Sequence, residues 1–180
     1  MKFIPKDAFQ VSTWSGGRTV QIAISPEGAA YADREFLWRV SSATVELDES
    51  DFTALPDYNR WILPLSGSMS LSHNGGPMVS LAPHEAHFFD GADATRCRGR
   101  CTDFNLMLRK GRCDGRIFVL TEDTFLSGEG IKILCCFSGS AALSGLSLKE
   151  GEAARLEDGE NSQLHFTSPG AAAVAVISQL

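Results

Sequence analysis

Long apolar runs are absent from this 180-residue sequence, and their absence argues against a membrane-spanning helix. No stretch approaches the roughly 20 apolar residues that such a helix requires. The first ten residues, MKFIPKDAFQ, also lack the apolar core of a signal peptide. The five cysteines are an odd number without the spacing of a disulfide framework. We therefore expect a cytoplasmic protein without a membrane partner.

Motifs for covalent catalysis and for phosphate binding are missing too. No serine or cysteine lies in a G-x-S-x-G nucleophile motif, and Gly128-Glu129-Gly130 is a turn, not a dinucleotide-binding fingerprint. The net charge of −6 makes long-range attraction to nucleic acid unfavourable. A small anionic ligand is still compatible with this charge, because a single pocket can be positive on a negative protein.

The sequence does contain many short strand signals. Apolar or alternating runs lie between clusters of Gly, Pro, Asn, Asp and Ser. No segment of a dozen residues has convincing 3.6-residue periodicity, and residues 27–36 could hold a short helix or a loop. The predicted strands are residues 19–24, 37–47, 61–65, 69–72, 78–81, 104–108, 116–120, 131–137 and 172–177. Many short strands with turn-rich links favour a sandwich or a barrel.

Two segments of the chain resemble each other. Residues 62–91 and 133–159 both contain an apolar strand, Ser-Gly-Ser, a short strand, a Gly-containing turn and another strand ending in Leu. Ser66-Gly67-Ser68 of the first segment corresponds to Ser138-Gly139-Ser140 of the second. Such hairpins can recur by chance in β proteins, but here order and spacing agree. A repeated β unit predicts two similar β-barrel halves.

Four further motifs resemble a known family. They are WSGGRT at 14–19, FLWRVSSA at 36–43, FTALPDYNR at 52–60 and DFNLM at 103–107. In this order they are similar to the motifs of the HutD/Ves family, whose members have the cupin fold. Residues 148–153, LKEGEA, also resemble the corner between two cupin strands, where glycine permits the turn.

The resemblance implies an all-β, double-stranded β-helix (cupin or jelly-roll) fold with two barrel halves in one chain, a bicupin. We place an N-terminal half with a ligand cavity at residues 1–110 and a C-terminal half at 111–180, in a single compact unit. For some family members the resemblance also implies a link to histidine utilisation, with formylglutamate as a suggested ligand.

Neither a metal ion nor another cofactor is expected. Metal-binding cupins supply a His-x-His pair, a Glu and a later His, whereas His84 and His87 are three residues apart and would point to opposite faces of a strand. No histidine occurs at 103–107, where the last ligand would fall. No pair of cysteines has the Cys-x-x-Cys spacing of a zinc knuckle.

Two predicted strands carry polar groups on one face and bulky apolar groups on the other. Alternation puts Arg39 and Ser41 on one face, opposite Trp38. It likewise puts Asp103 and Asn105 on one face of a later strand. Because buried polar groups need partners, such strands fit a cavity with a polar lining.

Candidate ligand-binding groups follow from this pattern. Arg60 precedes an apolar strand, and a guanidinium can hold a carboxylate through two hydrogen bonds. Arg39 could do the same or pair with Asp103, and either arginine could instead face solvent. His87 and Phe89 lie two residues apart and could share the cavity face.

The leading hypothesis is a non-catalytic sensor or regulator that binds a small acidic metabolite through these residues. A metal-independent isomerase or lyase is the alternative, with His87 as base and Asp103 orienting it. A structural or stress-related interaction protein is the third hypothesis. A homodimer could form through an exposed strand edge.

Overall fold

The computed structural model describes residues 1–180 and is built almost entirely from β-strands, so the all-β prediction is confirmed. Its helical content is two 3-10 turns, Lys6–Ala8 and Tyr31–Asp33. No helix has the length and apolar character needed to cross a membrane. The chain divides into two compact units: Gln10–Cys113, here the N-terminal unit, and Met1–Phe9 with Asp114–Leu180, here the C-terminal unit.

Each strand predicted from the sequence overlaps an observed strand. The strands in chain order are β1 (Lys2–Ile4), β2 (Gln10–Trp14), β3 (Gly17–Ser25), β4 (Trp38–Val45), β5 (Glu49–Asp51), β6 (Tyr58–Gly67), β7 (Met69–His73), β8 (Val79–Leu81), β9 (His87–Asp90), β10 (Thr95–Arg98), β11 (Cys101–Arg109), β12 (Cys113–Leu120), β13 (Thr124–Leu126), β14 (Ile131–Leu143), β15 (Leu146–Lys149), β16 (Glu152–Leu156) and β17 (Ser162–Gln179). The strands outside the predicted segments are all three to five residues long, too short to give a clear alternating pattern.

The N-terminal unit contains two antiparallel sheets. One has the strand order β2-β3-β4-β11-β6-β9 and the other β5-β10-β7-β8. In the first sheet β11 is hydrogen-bonded to β4 on one side and to β6 on the other. One face of these strands is fully buried and apolar, with Trp38, Val40, Phe104 and Leu106. Because side chains alternate along a strand, the polar residues between them emerge on the opposite face.

The C-terminal unit is one seven-stranded antiparallel sheet of order β1-β16-β14-β17-β12, with β13 beside β17 and β15 beside β14. Strand β1, from the first residues of the chain, pairs with β16. The apolar core of this unit comprises Leu126, Leu134, Cys136, Ala141, Leu143, Leu148, Ala154, Leu156, Leu164, Ala172 and Val174.

The glycines of the two Ser-Gly-Ser segments share one backbone constraint. Gly67 at the end of β6 has φ 82° and Gly139 inside β14 has φ 71°, a region that side chains with a Cβ rarely adopt. A Cβ at Gly67 would lie 2.2 Å from the carbonyl oxygen of Arg100, and one at Gly139 would lie 2.4 Å from that of Pro169. Each repeated segment therefore needs glycine at this position, because a Cβ would collide with the neighbouring backbone.

We expect Gly67→Ala and Gly139→Ala each to lower the free energy of unfolding by about 3 kcal/mol or more, since positive φ alone costs about 1–2 kcal/mol and the backbone clash adds to it. Gly75→Ala is the matched control, because Gly75 has φ 73° and open space around it. Urea unfolding of the three variants measures the difference. Equal losses for all three would contradict the close approach.

Candidate functional site

The N-terminal unit has an open cavity of about 410 Å³ on the polar face of its larger sheet. The residues that line it are Ser12, Thr13, Trp14, Thr19, Tyr31, Arg39, Ser41, Ala43, Val45, Asp51, Phe52, Thr53, Arg60, Asp103, Asn105 and Met107. Five of the seven residues predicted from the sequence to bind a ligand are among them. This volume suits a small metabolite, since small-molecule cavities begin at about 300 Å³.

Two rows of side chains cross the sheet and build the polar wall. The arginine row is Arg39 on β4, Met107 on β11, Arg60 on β6 and Phe89 on β9. The amide row beside it is Ser41, Asn105, Ile62 and His87 on the same four strands. Neighbouring residues in such a row have Cα atoms about 5 Å apart, so those of the two arginines are about 10 Å apart across Met107.

Arg39 is buried, with 5% of its surface exposed, and is held by neutral groups. Its Nε donates to Oε1 of Gln21 at 2.7 Å, and its Nη1 donates to Oγ of Ser41 at 3.2 Å. The guanidinium carbon lies 4.4 Å from the centre of the Tyr31 ring. Burial lowers the pKa of Arg39, because no anion compensates for the loss of water.

Arg60 is as deeply buried and has fewer partners. Its Nη1 makes one long hydrogen bond, 3.5 Å, to the carbonyl oxygen of Thr53, and its Nε has none. The guanidinium carbon lies 5.0 Å from the ring centre of Phe52 and 4.9 Å from that of Phe89. Burial lowers the pKa of Arg60 to about 10, which still leaves it a cation at neutral pH.

Neither buried arginine forms an ion pair, because the ion pairs of the structure join other residues. Buried charges in proteins are normally paired, because the loss of hydration is costly. Two unpaired guanidinium groups in one cavity therefore leave it electrostatically suited to an anion.

Asp103 is the acidic group on the same wall, but it does not neutralise the arginines. It is 1% exposed, and its Oδ1 accepts hydrogen bonds from the backbone N–H of Ala43 at 3.1 Å and from Nδ2 of Asn105. Burial raises the pKa of Asp103 to about 7, although these bonds and the charge of Arg60 act in the opposite direction. The pair between Arg39 and Asp103, one of the alternatives that the sequence left open, does not form.

His87 and Phe89 lie outside the cavity lining, although both are on the predicted face. Phe89 ends the arginine row and packs against Arg60. His87 is separated from Asn105 by the fully buried Ile62, and its Nε2 lies 3.0 Å from Nε2 of His73. The isomerase hypothesis requires His87 to lie beside Asp103, and the structure does not place it there.

Several residues of the site were not predicted. Gln21 orients Arg39 without lining the cavity itself, and it lies on the same face of β3 as Thr19, so alternation along residues 19–24 could have found it. Tyr31, Phe52 and Thr53 lie outside the predicted strands, in irregular segments or a 3-10 turn, where no periodicity indicates which way a side chain points.

Comparisons with known proteins agree with this architecture. The family model described as HutD matches residues 6–175. Protein Ves of Cronobacter sakazakii (strain ATCC BAA-894) is 28% identical over 170 residues, 90% of each chain. HutD from Pseudomonas fluorescens SBW25 is 19% identical, with a TM-score of 0.83 over 99% of this chain and 98% of its own. A cupin 2 conserved barrel domain protein from Leptotrichia buccalis is 11% identical, with a TM-score of 0.58 over 93% and 91%. The predicted family resemblance and a cupin-like fold are confirmed.

The raised pKa of Asp103 predicts a specific pH dependence of stability. The folded protein holds this proton up to about pH 7, whereas an unfolded Asp loses it near pH 4. Between pH 4 and pH 7 Asp103 is protonated only in the folded state. The free energy of unfolding therefore falls as the pH rises through this range, by at most about 4 kcal/mol. Asp103→Asn should not show this pH-dependent loss. Its free energy of unfolding should therefore increase relative to that of the unmutated protein as the pH rises from 4 to 8.

Urea unfolding at half-unit pH steps measures the effect, and Asp7→Asn at an exposed position is the control. If Asp103→Asn instead became progressively less stable than the unmutated protein as pH rises, Asp103 would be an ionised partner of Arg60 and the account would be wrong.

Proposed function

Because the chain belongs to the HutD family, we propose that it is a non-catalytic binding protein for a small acidic metabolite, acting as a sensor or regulator. Family membership suggests a role related to histidine utilisation. A formylglutamate-like acid is the proposed ligand, since it carries carboxylates and is small enough for a cavity of 410 Å³. We also propose a cytoplasmic location, which suits five free cysteines, all buried.

The observation that carries the proposal is the pair of buried, unpaired arginines. Evolution of a purely structural cavity would favour apolar residues here, because replacing buried charges by apolar side chains is often neutral or stabilising. Two guanidinium groups on one row, held by neutral partners, are instead arranged to meet an anion that arrives from outside.

The two arginines have different parts in this proposal. Arg60, with an unsatisfied Nε and one long hydrogen bond, has the most donor capacity left and is the main carboxylate anchor. Arg39 is already oriented by Gln21 and Ser41. It contacts a second acidic or polar group of the ligand, at the end opposite the carboxylate that Arg60 holds. Preorganised donors of this kind reduce the entropy lost on binding.

The two units are, in our proposal, related halves of the bicupin type. Before Gly67, β6 pairs with β9 and β11, and after it β7 pairs with β8 and β10. Before Gly139, β14 pairs with β16 and β17, and after it β14 pairs with β15 and an earlier part of β17. The same order of pairing around each Ser-Gly-Ser segment supports a duplicated unit.

Binding of N-formyl-L-glutamate tests the function. We expect this acid to raise the melting temperature, because a ligand that binds only the native state stabilises it. Arg60→Met and Arg39→Met should each weaken binding about 10-fold to 100-fold, since hydrogen bonds to charged groups contribute about 1.5–3 kcal/mol. Calorimetric titration gives the affinities, and Arg112→Met at an exposed position is the matched control.

Methionine fills much of the volume of arginine, so the ligand-free Arg60→Met protein should be at least as stable as the unmutated one. That measurement separates a lost ligand contact from a damaged fold. If N-formyl-L-glutamate, urocanate and related acids give no thermal shift at concentrations well above millimolar, the acidic-metabolite proposal fails.

A further inference from the structure

The carboxyl group of Asp103 has an unusual place for an acid in a proposed anion site. It lies on the same cavity wall as Arg39 and Arg60 and is almost completely buried, yet it forms no ion pair with either. An ionised carboxylate there would repel an incoming anion and cancel part of the charge that attracts it. The site binds an anion best when this carboxyl group is neutral.

The hydrogen bonds of Asp103 fix where a proton would sit. Oδ1 accepts from two donors, the backbone N–H of Ala43 and Nδ2 of Asn105, so it is occupied as an acceptor. Oδ2 takes part in no hydrogen bond. A proton on the group therefore resides on Oδ2, and the O–H is free to donate to a ligand.

We propose that Asp103 binds the anionic ligand as a neutral carboxylic acid, donating a hydrogen bond from Oδ2 to a ligand oxygen, so that binding takes up one proton. The inference rests on the proposed function, because it concerns the same cavity and the same acidic ligand. It assigns Asp103 to specificity: an O–H donor beside two guanidinium groups favours an anion with a strong acceptor oxygen.

Several other titratable or charged groups lie near Asp103. The groups that face Asp103 or line the same cavity are Arg39, Arg60, Tyr31, Asp51, Cys97 and Cys101. Burial raises the pKa of Cys97 to about 11 and that of Cys101 to about 12, so both stay thiols near neutral pH. Asp51 is exposed and paired with Arg96. Burial raises the pKa of Asp103 to about 7, so this group titrates near neutral pH.

Calorimetric titration with N-formyl-L-glutamate between pH 6.0 and 8.5 tests the inference, in buffers of different ionisation enthalpy. We expect uptake of about one proton at pH 8.5 and an affinity about 30-fold weaker there than at pH 6.0, because only the protonated fraction binds. Asp103→Asn, which retains an N–H donor, should lose the pH dependence and the proton uptake. Asp103→Leu, which has no donor, should weaken binding at pH 6.0 about 10-fold or more.

The carboxyl ¹³C resonance of Asp103, assigned with Asp103→Asn, gives an independent readout in the ligand-free protein. We expect a titration midpoint near neutral pH that rises when ligand is added. Binding with constant affinity and no proton uptake, or an Asp103 already ionised at pH 5, would overturn the inference and leave the binding function standing. If none of the acids binds while the resonance titrates as expected, the proposed function fails, and with it the role of Asp103 in binding.

Discussion

The antiparallel pairing of β11 with β4 and β6 is the constraint on which the rest of the structure depends. Its register puts Met107 between Arg39 and Arg60 and puts Asn105 beside Ser41. A shift of one residue would turn Asp103 and Asn105 to the apolar face and Phe104 to the cavity. The fully buried Trp38 and Leu106 hold this register, because they can be buried only in the observed one.

The same register buries three ionisable side chains in one cavity, where the loss of hydration disfavours their charged forms. Arg39, Arg60 and Asp103 lose nearly all contact with water, and each has a pKa displaced towards its neutral form. Such sites are typical of function, where local stability is reduced for the sake of binding. The two sheets of the N-terminal unit, with their continuous hydrogen bonding and apolar clusters, supply the stability that tolerates this arrangement.

Alternation was enough to put Arg39 with Ser41 on one face of β4 and Asp103 with Asn105 on one face of β11, because the period of a strand is two whatever its neighbours are. That the two pairs share a face of the sheet depends on the register between the strands. It could not show where the cavity ends. His87 has the predicted orientation, but Ile62 fills the space between it and Asn105, and this depends on packing across four strands. The aromatic residues Tyr31 and Phe52, which contact the arginines, lie in segments without periodicity.

The position of β11 in the chain also bears on how the protein folds. The backbone of Asp103 pairs with that of Ala43, 60 residues earlier, so β11 joins its sheet only after a long loop has closed. Closure of such loops is slow, and contacts distant in sequence form late in folding. The cavity has no complete wall until that step is over. A ligand of this cavity would therefore bind only molecules in which β11 has already joined its sheet.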